Sequence, residues 1–416
     1  MTTIRRALPR LFGAALLASA FACSDFLEVE NPNVIDASTL DPSQDAATFA
    51  LSAQQNFAAA YGWMIMYSSW FSGEALVAET FPTRNEFGRR EVLAQNTSLN
   101  GDVWTNITLA LASSRTVLQL DLPNKASNIA VARAAVWAGY SALHMAMDFC
   151  EGTIAQGTEP GARLTTAQLL DSAVAYLTTA ITVGTANGTG DGILIANIAR
   201  AGRARAHLQA GRKAEAATDA DAVPANFTFS FNYVDDLAQR NRLGNRLWQF
   251  TLDRGSISIA PAYRVADPRI KYKAPGQHTL TPQDASTGPF YIQDKYPSFT
   301  APIRVASKLE ADYIKAETQG VPEQTALINA RRTANGLPAY SGPTDANSVL
   351  TELLDQKALD FYLEGRRLGD FRRLPTNVTN MPIPGAPYFK PGFSAISNGT
   401  CYPVPINETD NNPNFK

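Results

Sequence analysis

"ARAGRARAHLQAGRKAEAATDADAVPANF", residues 199–227, places small residues at Ala204 and Ala206, then Leu208, a turn at Gly211, and Ala214 and Ala216 on a second segment that Pro224 stops. Small side chains at facing positions let two antiparallel helices approach closely, and glycine supplies the turn between them. The stretch therefore reads as a helical hairpin. The plan repeats in "EADYIKAETQGVPEQTALINARRTANGLP", residues 310–338, with Ala311, Tyr313 and Ala316 before Gly320, and Pro322 opening a second helix that ends near Gly336. In "TTAQLLDSAVAYLTTAI", residues 165–181, Leu170, Val174, Leu177 and Ile181 recur at helical spacing, and Thr165 or Thr166 caps the start. Residues 101–120 and 127–147 show similar periods, so residues 44–220 read as a succession of helices.

Each hairpin resembles a tetratricopeptide repeat unit. The expected fold class is all-α: tetratricopeptide-like helix pairs forming an α-α superhelix, with long irregular loop-rich segments packed on it. The expected division is a signal peptide over 1–22, a lipid-anchored linker over 23–43, a helical region over 44–223, a loop-rich segment over 224–302 and a C-terminal region over 303–416. Residues 224–302 and 375–416 are rich in Pro, Gly, Ser and aromatics without a sustained period. Long ordered loops of this kind carry function more often than connecting turns do.

The first 22 residues read as a secretory signal: Arg5, Arg6 and Arg10 precede an apolar run over residues 11–22, too short to span a membrane. The run stops at Cys23. Ala20-Phe21-Ala22-Cys23 resembles a bacterial lipoprotein signal, in which the cysteine becomes the acylated N-terminus; ordinary cleavage with Cys23 as a bystander is the alternative. Formal net charge is -2 and charged residues make up 18% of the chain. No basic field exists to attract nucleic acid. Cys150 and Cys401 are the remaining cysteines, and in an exported protein such a pair is expected to form a disulfide; two buried free thiols are the alternative.

The segment "SVLTELLDQKALDFYLEGRRLGDFRRL", residues 348–374, is expected to bury Leu350, Leu354, Ala358 and Phe361 and to break at Gly365. In the corner that follows, Glu364 and Asp370 are expected to meet Arg366, Arg367, Arg372 and Arg373, since the guanidinium fork grips a carboxylate at two points. On these residues the chain resembles the SusD/RagB family of nutrient-uptake outer-membrane lipoproteins. Asp360-Phe361, Glu364-Gly365-Arg366 and Asp370-Phe371-Arg372-Arg373 are similar to that family's late signature, with Gln356 and Lys357 in place of its opening Glu-Arg and Leu368 near its usual Trp. "CSDFLEVENPN" (23–33), "IRVASKLEADYIKAE" (303–317) and "YPVPINETDNNPNF" (402–415) agree in order. The resemblance implies a surface lipoprotein anchored through Cys23, with Ser24 and Asp25 similar to an export signal. It would capture oligosaccharides, peptides or other oligomeric nutrients and act as the lid of a SusC-type TonB-dependent transporter. The localisation implied is the outer membrane, lipid-anchored and facing outward.

Candidate ligand-binding residues fall in three aromatic stretches. "YGWMIMYSSWF" (61–71) holds Trp63, Tyr67 and Trp70, and sugar rings stack their C–H faces on such rings. These three also share one helical stripe, which is the pattern of a core. "ETFPTRNEFGRREV" (79–92) offers Arg84, Asn85 and Phe87 in a turn-like setting, either a capture loop or a plain surface loop. "GPFYIQDKYPSFTAP" (288–302) adds Tyr291 and Tyr296 where no helical period explains them.

Enzymatic chemistry has little support. His144, His207 and His278 lie far apart, with no ligand at metal spacing, so no metal and no cofactor are expected. A secreted all-helical glycoside hydrolase needs only two carboxylates and remains an alternative, as does a helical-repeat scaffold that binds proteins. The arginine-flanked carboxylates at Glu364 and Asp370 should be held ionised, which suits no general acid.

Overall fold

A computed structural model of the chain describes residues 41–155 and 159–416. Cys23 and the signal segment lie outside the described residues. The main helices are α1 (Pro42–Phe71), α2 (Pro82–Gly88), α3 (Thr105–Gln119), α4 (Ile129–Asp148), α5 (Thr166–Asn187), α6 (Gly190–Gln209), α7 (Lys213–Asp221), α8 (Lys308–Gln319), α9 (Val321–Ala334), α10 (Ala346–Asp360), α11 (Arg367–Arg373) and α12 (Ile406–Asn411). Among the described residues the strands form only two-stranded ribbons, so the architecture is mainly α.

Consecutive helices α4 to α7 pack in sequence, and α8 packs on α7, α9 on α8 and α10 on α9. The starts are set by side-chain caps. Thr165 accepts from the Gln168 amide while Gln168 reaches back, and Thr189, Ser307 and Asp345 each accept from an amide three residues on. Close approach depends on missing side chains: a Cβ on Gly139 of α4 would stand 2.5 Å from Leu177 of α5, and one on Gly202 of α6 would stand 2.7 Å from the Tyr140 ring. Ala204, Ala206 and Leu208 are buried as their hairpin reading requires. Ala214 is exposed, and Ala216 and Ala220 make the α7 contact instead.

Two stripes sit about one residue away from the expected ones. On α5 the buried line runs through Leu169, Leu170, Ala173, Leu177 and Ala180, with Val174 and Ile181 at its edge. On α10 it runs through Val349, Leu353, Leu354 and Lys357, leaving Leu350 and Ala358 half-buried. The α10 shift has a physical cause: the helix turns a cation and a carboxylate, Lys357 and Asp360, into the interior, where each has a partner.

The segment over 224–302 is not separate from the helices. Residues 46–416 form one unit, and its main core joins Phe57 and Tyr61 of α1, Trp137 and Tyr140 of α4, Phe231 and Tyr296 of the loop-rich segment, and Tyr402 near the C-terminus. Within that segment, β2 (Ile257–Ile259) pairs antiparallel with β1 (Ala75–Val77), with Leu76 opposite Ser258. Cys150 and Cys401 are joined in a disulfide that ties the end of α4 to the C-terminal segment across 251 residues.

Candidate ligand-binding groove

Two of the three rings of the α1 stripe, Tyr67 and Trp70, are buried, the outcome their shared helical stripe pointed to and not that of an exposed platform, although Trp70 also lines the groove described below. Tyr67 and Trp70 are at most 1% exposed, with ring centroids 5.1 Å apart and perpendicular. Phe87 packs 4.4 Å from Tyr67 and 5.1 Å from Tyr402. Residues 82–88 form the short helix α2 rather than a turn, and that helix aims Asn85 and Phe87 inward. Arg84 is buried as well. Its Nε donates to the Tyr67 hydroxyl at 3.1 Å, and its Nη1 to both oxygens of Glu79 at 3.0 Å. Trp63 alone of this group stays partly open, held between the Arg246 guanidinium at 4.4 Å and the edge of Phe250 at 5.4 Å.

Tyr291 and Tyr296 separate in the same way. Tyr296 is 3% exposed and donates to the Leu363 carbonyl at 3.3 Å, so it is a core residue and not part of a site mouth. Tyr291 is half-buried, with Arg264 against one face at 3.8 Å and Tyr272 6.1 Å away. The Tyr272–Tyr291 pair is an aromatic surface on which a sugar face could stack.

Beside it lies a groove that the sequence reading had not assigned. β1, the loop 260–267 and a C-terminal strap over residues 380–396 enclose an apolar cavity of about 420 Å3, lined by Trp70, Leu76, Pro261, Met381, Tyr388 and Phe389 among others. A second cavity of about 330 Å3 is lined by Asp267, Arg332, Asp355 and Gln356. Ala262 and Asn380 line both, so the two adjoin. Burial works against the Asp267 carboxyl, but hydrogen bonds from Arg269 at 2.8–3.0 Å outweigh it and keep that group below its ordinary range. Burial raises Asp355, which accepts from Thr379 at 2.5 Å and stands 3.6 Å from Arg367.

The strap is held by contacts to α2 and the residues around it, and one of these, Asn85, is a residue the sequence nominates as a ligand contact. Tyr388 donates to Asn85 Oδ1 at 2.9 Å, and Lys390 Nζ reaches the Glu79 carbonyl at 2.6 Å and Asp284 at 2.9 Å. Arg90 donates to the carbonyls of Pro382 and Gly399 at 2.8 and 2.9 Å. Asn85 is thus a positioning residue. The one signal for the strap was its composition, Pro-rich with Tyr388 and Phe389 inside a stretch already read as a long loop.

The charged corner is a second correction. After α10 the chain turns through Leu363 and Gly365, at φ of +56° and +68°. Glu364 meets Lys295 at 2.6 Å and Arg304 at 2.9 Å rather than its neighbouring arginines. Arg366 and Arg205 share Glu310, at 3.1 and 2.5 Å, and Arg373 spans Glu317 and Asp370. Asp370 also takes Lys357 at 2.8 Å, so Arg373 is its one local partner. Arg372 caps α4, donating to the carbonyls of Ala146, Met147 and Phe149. Burial alone would raise Glu364, but Lys295 and Arg304 hold it down to about 2. Asp370 is likewise held low against burial by Lys357 and Arg373. Glu74 behaves oppositely: buried without a cation in contact, it is pushed up to about 7, and its carboxyl accepts from the Leu363 amide at 3.0 Å. Among the described residues no group of three or more His, Cys, Asp or Glu side chains could hold a metal.

No protein-family model matches the sequence, and no curated protein matches it. Solved structures do resemble it. A SusD superfamily protein from Parabacteroides distasonis superposes with a TM-score of 0.65 at 15% identity, covering 90% of this chain and 98% of that one. A SusD superfamily protein from Bacteroides thetaiotaomicron gives 0.67 at 14% identity, covering 89% and 98%. A SusD-like carbohydrate binding protein from Bacteroides vulgatus gives 0.65 at 15% identity, covering 83% and 86%. At such identities the agreement is one of backbone architecture, and it covers most of the chain: the chain has the fold of the SusD superfamily proteins.

Proposed function

We propose that this protein is a non-catalytic, surface-exposed binding lipoprotein that captures oligosaccharides for uptake, as the lid of a SusC-type TonB-dependent outer-membrane transporter. The observation that carries the reading is the shared fold over nearly the whole described chain, one of its solved examples being a SusD-like carbohydrate binding protein. The groove and the Tyr272–Tyr291 pair supply surfaces suited to that task, a concave apolar site with a few polar groups beside it. Anchoring through Cys23 would hold the protein at the outer membrane. The corner itself supplies no general acid for the hydrolase alternative, since Glu364 and Asp370 are buried, ion-paired and held low.

The test is affinity purification of the tagged full-length protein from the outer membrane of its native host, with a glycan array run on the same material. Recovery of a large β-barrel transporter near one-to-one, with glycan binding, supports the reading. An unlipidated chain purified without a barrel overturns the lid and the anchor. A blank array overturns the cargo.

A further inference from the structure

The apolar cavity of the groove adjoins a second whose lining is mixed, with Val265, Leu337 and Leu359 beside charged groups. In the apolar one, the side chains with polar atoms are those of Trp70, Asn380 and Tyr388. The Tyr388 hydroxyl is committed to Asn85, and the Trp70 indole N–H is buried without a partner. A sugar ring placed there would strand most of its hydroxyls, and each buried polar group left unpaired costs about 1–3 kcal/mol. The cavity therefore suits an apolar group. In the adjoining cavity Asp267 is held by Arg269, and Gln356 by Arg269 and Glu352, whereas Asp355 and Arg332 are partly exposed and keep Oδ2 and Nη2 to offer a hydroxyl; Ala262 and Asn380 form the seam. One ligand filling both must be apolar at one end and carry hydroxyls at the other.

We infer that the groove binds a saccharide carrying an apolar substituent, an acyl chain or aryl ring, with the substituent under the strap and the sugar against Asp355 and Arg332. This rests on the carbohydrate reading above and narrows its substrate class. A bare glycan would fill half of the groove.

The experiment measures calorimetric binding of matched methyl and octyl glycosides of glucose, galactose, mannose and xylose, the octyl forms below their micelle concentration, with 1-octanol as the sugar-free probe. Since a buried methylene is worth about fourfold in affinity, the octyl form should bind at least tenfold more tightly than its methyl partner for the recognised sugar, and more tightly than octanol. Ala386→Trp, which fills the apolar cavity, should remove that advantage and leave methyl glycoside binding in place. Ala262 is solvent-exposed, so Ala262→Trp blocks the seam without touching the core and gives the same readout should the first variant fail to fold. Octyl forms that match their methyl partners, or octanol that matches the octyl forms, overturn the inference. So does a glycan array with clear hits alongside octyl glycosides that do not bind. A blank array together with no glycoside binding overturns the carbohydrate reading itself.

Discussion

In the corner over residues 361–373 each carboxylate faces a cation drawn from elsewhere in the chain: Glu364 faces Lys295 and Arg304, and Asp370 faces Lys357 and Arg373. In the strap over residues 380–396 the holding cations, Arg90 and Lys390, largely grip backbone carbonyls, and the side chains between those grips are apolar and line an open cavity. The corner consumes its polar groups to fix a turn at the centre of the fold. The strap is pinned at separate points and leaves surface between them. Charge density therefore marks the scaffold in this part of the molecule, and the sparsely charged strap is where the surface stays open.

The largest expected effect tests the corner. Glu364→Ala leaves the half-buried Lys295 and Arg304 without their shared, fully buried counter-charge and should cost about 3–5 kcal/mol in urea unfolding, as broken buried pairs do. An effect below ~1 kcal/mol would mean that the corner is not what fixes this turn. Tyr296→Ala should cost a similar ~3–5 kcal/mol, the usual penalty for a deleted core aromatic. If that variant melts like the parent and loses ligand instead, Tyr296 belongs to the site.

The Cys150→Ala/Cys401→Ala pair should lose about 2–4 kcal/mol by freeing the C-terminal segment. A disulfide that merely decorates the surface would leave the urea midpoint unchanged. The two buried glutamates then give stability slopes of opposite sign. Glu364 is held at about 2 against an ordinary 4.5, so its contribution is complete above pH 4.5 and is lost as pH falls toward 2. Glu74 is raised to about 7, so its contribution is complete below pH 4.5 and is lost as pH rises to about 7. Subtracting the unfolding free energy of Glu74→Gln from that of the parent at each pH should give a line falling about 1.4 kcal/mol per pH unit between 4.5 and 7 and flat beyond it. A flat difference throughout would show that Glu74 titrates normally. The smallest effect on stability belongs to Tyr291→Ala, under about 1 kcal/mol, with weakened glycan binding measured by calorimetry; unchanged binding would remove Tyr291 from the site.

The helical part of the molecule was open to reading before any coordinates. The hairpins over 199–227 and 310–338 declare themselves because small residues, a turn glycine and a stopping proline are local signals. The capping box at Thr165 and Gln168 is local too. The aromatic residues were harder. Trp63, Tyr67 and Trp70 carry the same composition whether they face a ligand or a core, and burial, which separates them, depends on α2, Phe87 and Tyr402 arriving from elsewhere. Arg84 and Asn85, nominated as ligand contacts on a loop, instead pair inside the fold with Glu79, Tyr67 and Tyr388.

What the sequence determined by itself is the mainly helical class and the hairpin plan, each of which follows from local spacing. What the tertiary structure decided is which charge meets which. Glu364 lies two residues from Arg366 yet pairs with Lys295 and Arg304, because the turn at Leu363 and Gly365 points its carboxylate across the core. The groove belongs to the same category. Its walls come from residues near 75, 261 and 388, and an apolar surface shared by three distant segments has no period along any one of them.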